Sequence, residues 1–474
     1  MTTFIPVFCY SVVTVRFIGL LLLILSSFCF PRSSQAQANA SGVALEISLD
    51  REYHLADSEQ GIYVLSQISA HSIKAADQPK LPLNLCLIID RSGSMAGEPM
   101  NEAKFAISRA VETLDQNDTF SLITYGSEVE TLIPAQQVKD LSNLEPRIQS
   151  IEAIGGSALY DALNQGAAQL RRHRTPTSVN RMLVLSDGPP TKGPREIDDF
   201  IALANLFTSE GLSVSTIGLG EDFNEDLLSS LATKGNGNFH YAQKNQDLSD
   251  TIISDLAPLN SIVARDVELK LEFNNVLKVE KVLGHGSEDN NQSVTFKWPQ
   301  LYSGTQLKGL VSASLHPGIH SKFLNVKIVD ATLSYFPASS GFSERISEKQ
   351  TTKTKLTTSR RLATDSLLPE TLREAFSLEI ADSIKEAIEL SDSGKLQKGL
   401  REIRSTLQDI KWVNYELKDE VIAQQIETLQ NLFDRIKEDG MNQIDRKILT
   451  ESVVNQPIST TSQNLAPTLA TEND

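Results

Sequence analysis

Apolar and polar residues follow three successive periods along this chain. Val43, Leu45, Ile47 and Leu49 recur at every second position, which predicts a half-buried strand, and Gly61 to Ile68 reads as a second. From Leu83 the alternation gives way to unbroken apolar runs. Leu85-Cys86-Leu87-Ile88-Ile89 and Met182-Leu183-Val184-Leu185 are what strands covered on both faces require. Helical stripes come between and after them: Ala103, Ile107, Ala110, Val111 and Leu114 behind Pro99, then Leu159 to Arg172, Asn224 to Thr233 and Asp247 to Leu259. Thr119 to Tyr125, Leu212 to Leu219 and Phe239 to Ala242 read as further strands, with Glu128 to Ile133 at an edge. Strands alternating with helices predict a doubly wound α/β sheet over residues 81–261.

From Ala264 the period returns to two. Val267, Leu269, Leu271 and Phe273 set the pattern; Val294, Phe296 and Trp298 repeat it, as do Val311, Ala313 and Leu315, then Leu324, Val326 and Ile328, then Ala331, Leu333 and Tyr335. Residues 262–336 therefore read as strands of an antiparallel β-sandwich, completed by the strands within 39–80. The α/β domain is then an insertion into that sandwich. Residues 337–366, rich in Ser, Thr, Lys and Arg, read as a linker. An α-helical region is predicted over 367–452. Pro369 opens a stripe of Leu372, Phe376, Ile380, Ile384 and Ile388, ended near Gly394. Leu396, Leu400, Ile403, Leu407 and Ile410 make a second stripe, and Ile422, Ile426, Leu429, Phe433 and Ile436 a third, ended at Gly440. Each stripe is expected to pack on its neighbours or on the β-domain. The polar residues 453–474 read as a disordered tail.

Composition narrows the function classes. The chain has 474 residues, 40% hydrophobic and 22% charged, ordinary for a globular protein and enough for two or three domains. A net charge of −16 argues against a nucleic-acid or anionic-membrane surface, both of which need basic patches. Residues 1–38 hold no acidic residue; an apolar run from Phe17 to Phe30 follows Arg16, and Ala36-Gln37-Ala38 gives a small-x-small cleavage signature. That is the pattern of a secretory signal peptide. An uncleaved membrane anchor is the alternative, because Phe4 to Val15 is also apolar. Cleavage would remove Cys9 and Cys29 and leave Cys86, mid-strand, as a buried structural thiol.

No His-Glu-x-x-His, Walker A, Gly-x-Ser-x-Gly or Cys-x-x-Cys pattern occurs, and the histidines are scattered. Thr191-Lys192-Gly193 reads as a surface loop, and the acidic run Asp222, Glu225 and Asp226 as a capped helix start rather than a second cation site. The informative chemistry is at the end of the first apolar run, where Asp90-Arg91-Ser92-Gly93-Ser94 places a carboxylate and two hydroxyls at the C-terminal edge of a parallel sheet. Open α/β sheets bind ligands at that edge, and hard cations take oxygen ligands. Gly155-Gly156-Ser157 and Ser186-Asp187-Gly188 come later in the chain, in that order. These three segments resemble the metal-ion-dependent adhesion site of a von Willebrand factor type A domain. The resemblance implies one Mg²⁺ site, with Mn²⁺ or Ca²⁺ as alternatives, formed by Asp90, Ser92, Ser94, Ser157 and Asp187, the two aspartates acting largely through water. The family more often has threonine where this chain has Ser157; the hydroxyl is kept without the methyl that restricts its rotamer.

The whole chain resembles bacterial exported type A proteins and, more loosely, calcium-activated chloride channel regulators and inter-α-trypsin inhibitor heavy chains. The resemblance implies an exported, non-enzymatic module, periplasmic or extracellular, that captures an acidic side chain of a protein partner through the ion. The alternative is an assembly or regulatory subunit of an envelope complex that docks through its C-terminal helices. A hydrolase of the channel-regulator type would need a zinc-protease region of which these residues show no sign.

Overall fold

The computed structural model describes residues 42–56, 61–70, 81–139, 143–175, 177–242, 248–284, 287–289, 292–315, 325–455 and 458–460. The leader expected at 1–38 lies outside them. The described residues open with β1 (Val43–Leu49), the short β2 (Tyr53–Leu55) and β3 (Gly61–Ala70), β1 and β3 being antiparallel neighbours.

A parallel-sheet domain comes next. Its elements are β4 (Leu83–Asp90), α1 (Glu98–Glu112), β5 (Thr119–Tyr125), β6 (Val129–Gln137), α2 (Glu145–Gln149), α3 (Leu159–His173), β7 (Val179–Ser186), α4 (Ile197–Ser209), β8 (Ser213–Leu219), α5 (Glu225–Lys234), β9 (Phe239–Ala242) and α6 (Leu248–Leu256). The strand order is β6-β5-β4-β7-β8-β9, parallel except for the antiparallel edge strand β6. Period two in β4 decides which layer each side chain joins. Leu85, Leu87 and Ile89 pack with Ala103, Ile107 and Ile252 of α1 and α6, while Cys86 and Ile88 pack with Leu163, Phe200 and Leu228 of α3, α4 and α5. Every residue of β4 and β7 is buried, which is why neither alternates.

The chain then completes the sandwich with β10 (Ile262–Phe273), β11 (Leu277–Gly284), β12 (Ser287–Asp289), β13 (Ser293–Tyr302), β14 (Thr305–Leu315), β15 (Val326–Pro337) and β16 (Ile346–Thr357). One sheet runs β1-β3-β14-β11 and the other β12-β13-β10-β15-β16-β2. Their shared core buries the alternating residues read from the sequence, among them Leu269, Leu271, Phe296, Trp298, Val311, Leu333 and Tyr335. The α/β domain thus sits between strands of one sandwich. Leu324 lies outside the described residues.

Two expectations are corrected. Residues 346–357, read as linker, form β16, paired antiparallel with β15 and parallel with β2, and α7 (Arg360–Asp365) comes after it. Only Thr354 and Leu356 of β16 are buried, so no apolar alternation marks it; its four threonines have the β-branched shape that suits a half-buried strand. The tail read from 453 begins inside a helix, and Ile458–Thr460 pair with β14 as β17. The remainder of 453–474 is outside the described residues.

The helical region comprises α8 (Pro369–Asp392), α9 (Leu396–Leu417), α10 (Glu420–Asp439) and α11 (Gln443–Asn455). The three stripes share one core, with Phe376, Ile384, Ile403, Leu407, Leu429 and Phe433 all buried, and α8 also rests on Leu65, Leu283 and Leu310 of the sandwich. Gly399 lets α9 approach α8, since a Cβ there would stand 2.9 Å from the Cα of Ala387. Gly399→Val must push two helices apart, and urea unfolding should show a loss of about 1–3 kcal/mol. α11 is not marked by any stripe in the sequence. It lies against β9, where the Asn455 carboxamide accepts from the Phe239 N–H at 3.4 Å and donates to the Phe239 carbonyl at 2.7 Å. Among the described residues no helix is long and apolar enough to cross a membrane.

Candidate metal centre

β4 ends on Asp90, which is 0% exposed, and a 3₁₀ turn over Gly93–Met95 then folds back beneath the strand's end. That turn places the first three predicted groups together. The Ser92 N–H donates to Asp90 Oδ1 at 2.8 Å, and the Ser92 and Ser94 hydroxyls are 3.0 Å apart. Asp187 comes directly after the last residue of β7, the neighbouring strand, and its Oδ1 accepts from the Ser92 hydroxyl at 3.2 Å. Ser157 stands just before α3, and its hydroxyl donates to Asp90 Oδ2 at 3.4 Å. All five predicted residues are brought into one cluster. Ser94 is exposed while the other four are buried, so the cluster opens to solvent on the Ser94 side.

Backbone bonds hold the three loops in register. Gly93 N–H donates to the Gly155 carbonyl at 3.1 Å, and Ile154 N–H to the Arg91 carbonyl at 2.6 Å. Gly126 is needed here because a Cβ would fall onto the Ile154 carbonyl oxygen. Three supporting groups escape a reading of the sequence. The Thr191 hydroxyl accepts from the Ser157 N–H at 2.7 Å, and the Thr191 and Lys192 N–H groups both donate to the Ser157 carbonyl, so this surface loop fastens a candidate ligand. The Ser127 hydroxyl accepts from Gly156 N–H at 2.9 Å. Only the position of Thr191, shortly after Asp187, could have signalled its part.

The electrostatics suit a cation. Burial, and the nearby charge of Asp187, push the Asp90 carboxyl up to about 6 against the Ser92 hydrogen bond. Asp187 is also raised, by burial first and by Asp222 in addition. Two buried carboxyls, both raised chiefly by burial and set among three hydroxyls, fit a hard divalent ion that takes oxygen. Among the described residues no group of three or more His, Cys, Asp or Glu side chains gathers as a metal cage.

The other candidates resolve simply. Asn224 caps α5 through the Leu227 N–H, and Glu225 and Asp226 pair with Arg446 and Lys447 of α11. The acidic run is a capped, docked helix start. Cys86 is buried and its thiol is pushed up to about 12.

Comparison with known proteins bears on the parallel-sheet domain that carries this cluster. Residues 84–254 match the family model for the von Willebrand factor type A domain. The chain is 28% identical over 205 residues to the uncharacterized protein sll0103 of Synechocystis, covering 43% of this chain and 48% of that one. It is 25% identical over 208 residues to human inter-alpha-trypsin inhibitor heavy chain H2, covering 42% and 22%. The chain thus spans about half the length of these relatives, or less. In fold it is similar to a von Willebrand factor type A protein from Catenulispora acidiphila, with a TM-score of 0.65 at 16% identity, covering 91% of this chain and 99% of that one. Residues 84–254 of this chain are a von Willebrand factor type A domain, a kind of domain that commonly binds a divalent metal and generally serves in interaction rather than catalysis.

Proposed function

We propose that the type A domain binds Mg²⁺ through Ser92, Ser94 and Ser157, with Asp90 and Asp187 as its anionic partners, and uses the ion to capture an acidic side chain on a protein partner. The observation that carries this reading is the convergence of five oxygen-bearing side chains from three loops, with Ser94 on the open side. Neutral hydroxyl ligands leave the ion most of its charge, which favours a carboxylate arriving from outside. A donor set made mainly of neutral hydroxyls suits holding an ion for binding, with the ion as cofactor. The leader pattern at 1–38 supports a location in the periplasm or outside the cell.

Calorimetric titration of Mg²⁺ into the purified protein should show saturable binding that is absent in Asp90→Ala. Capture of a partner from an envelope extract should then require Mg²⁺ and fail in chelator. Unchanged capture by Asp90→Ala would sink the idea. Gly126→Ala changes none of the five donor side chains but displaces the backbone that leads from Ile154 into Ser157. Its Mg²⁺ affinity should drop about 10–100-fold, as for changes in the shell that orients metal ligands. Mn²⁺ and Ca²⁺ titrations identify the preferred ion.

A second reading is an envelope-complex subunit that docks through its helices. It is favoured by Trp412 and Tyr415 on α9, which are 67% and 78% exposed. Loss of complex formation in Trp412→Ala, with Mg²⁺ binding intact, would select it.

A further inference from the structure

The outward faces of α9 and α10 carry opposite charge. On α9, Lys398, Arg401, Ser405, Gln408, Trp412 and Tyr415 follow one another at intervals of three and four, and all are exposed. They form one stripe on the side away from the buried Leu400, Ile403, Leu407 and Ile410. On α10, Glu420, Gln424, Glu427, Asn431, Asp434 and Glu438 do the same, away from the buried Ile422, Leu429 and Phe433. Counting exposed residues alone, α9 carries four bases against two acids, and α10 five acids against one base, so the two faces differ in sign.

A solvated helix commonly neutralises its own surface by placing a base four residues after an acid. Neither α9 nor α10 has such a pair anywhere along its length. Among the described residues, none of Lys398, Arg401, Arg404, Glu427, Asp434 and Glu438 forms an ion pair, whereas Arg435, on the flank of α10, meets Asp445 of α11 at 3.0 Å. The charge is sorted onto two neighbouring helices and left unanswered on both. Trp412 and Tyr415, 67% and 78% exposed, continue the basic stripe toward the end of α9.

The register of the two helices indicates what would answer it. They run antiparallel across the short turn at Lys418 and Asp419, with the Arg404 guanidinium 5.1 Å from the centroid of the Phe433 ring and Lys411 donating to Gln430 at 2.7 Å. Residue 404 is thus level with 433. A two-fold axis parallel to the helices sets α9 of one copy against α10 of another and keeps every residue at its level. Arg401 and Arg404 then stand opposite Asp434 and Glu438 of the second copy. Trp412 falls opposite the uncharged Ala423 and Gln424, both exposed. Two helices about 30 Å long and lying side by side bury roughly 1,200 Å² in such a pair, the lower end for a specific interface. We propose that a second copy of this chain docks on these faces, α9 of each against α10 of the other, as a two-fold dimer held by complementary charge.

Sedimentation equilibrium of the purified protein should show a dimer whose dissociation constant rises with salt. Arg401→Glu with Arg404→Glu should weaken association about tenfold or more, and so should Asp434→Lys with Glu438→Lys, since each sets like charges face to face. All four residues are exposed, so both variants should keep the native circular dichroism and melting curve. An equimolar mixture of the two variants should dimerise again, because both contacts of the mixed pair are then oppositely charged. A native chain that stays monomeric up to about 100 μM, as it would if these faces serve a different protein, overturns the proposal. So does a dimer that the reversals leave untouched, or a mixture that remains monomeric.

Discussion

Replacing Lys447 by alanine is expected to lower the stability of the protein by about 3–5 kcal/mol, the range for breaking a buried ion pair by removing one partner. The Lys447 side chain is 2% exposed; its Nζ donates to Glu225 at 2.7 Å and to the Phe223 carbonyl at 3.1 Å, and lies 4.1 Å from the centroid of the Phe223 ring. Glu225 is itself mostly buried. Burial alone would raise its carboxyl, but the hydrogen bond from Lys447 and the charges of Lys447 and Arg446 outweigh that and hold it below the ordinary value. Without Lys447 the carboxylate still has Arg446 at 2.6 Å and a backbone hydrogen bond, which places the loss toward the lower end. Arg446 also meets Asp226 and Asp392, but those carboxylates are half-exposed, and such pairs contribute about 0–1 kcal/mol each. Urea unfolding of Lys447→Ala should therefore show a larger fall in midpoint than Asp392→Ala. Lys447→Met combined with Glu225→Gln should recover much of the loss, because no buried charge is then left alone. A loss in the double variant equal to the sum of the losses in Lys447→Met and Glu225→Gln alone would mean that the pair is not coupled.

Stability should also decline as pH rises from about 6.5 through about 9, the interval between the ordinary histidine value and that of His240 in the fold. Burial works to lower the His240 value, but hydrogen bonds and charge from Asp255 on α6 and Glu451 on α11 overcome it and push it up to about 9. Arg181 on β7 holds the other side of this group and, with His240, keeps Asp255 down at about 2. A value raised in the folded state means that the stabilisation is complete below the unfolded value and disappears once pH passes the folded one. At 1.36 kcal/mol per unit, that interval corresponds to roughly 3 kcal/mol at most. Melting temperatures measured across the interval should fall for the native protein and stay flatter for His240→Gln. Equal slopes in the two proteins would show that another group sets the dependence.

The sequence is most legible where burial is uniform. Leu85 to Ile89 and Met182 to Leu185 announce central strands because helices cover both faces, and the alternating runs of β10 and β13 announce a sandwich because one face is wet. The candidate site is legible for a related reason: strand ends carry the loops, so an ordered set of Asp, Ser, Ser and Asp after apolar runs is already a statement about position. β16 escapes because threonines and main-chain pairing, not apolar side chains, hold it in place. α11 escapes because its docking on the type A domain rests on Arg446, Lys447, Glu451 and Asn455, whose partners there are more than 200 residues away. Charge complementarity over such a distance has no period. Thr191 is hidden because a hydroxyl that braces a loop looks like any other in sequence.

The carboxamide of Asn455 bears on the solubility of the whole molecule. β9 is the last strand of the parallel sheet and would otherwise present an open rim of main-chain donors and acceptors. By answering both the N–H and the carbonyl of Phe239, Asn455 fills the place that a strand from another copy would take. The end of α11 thus acts as a chemical full stop on the sheet, keeping one molecule from templating the next.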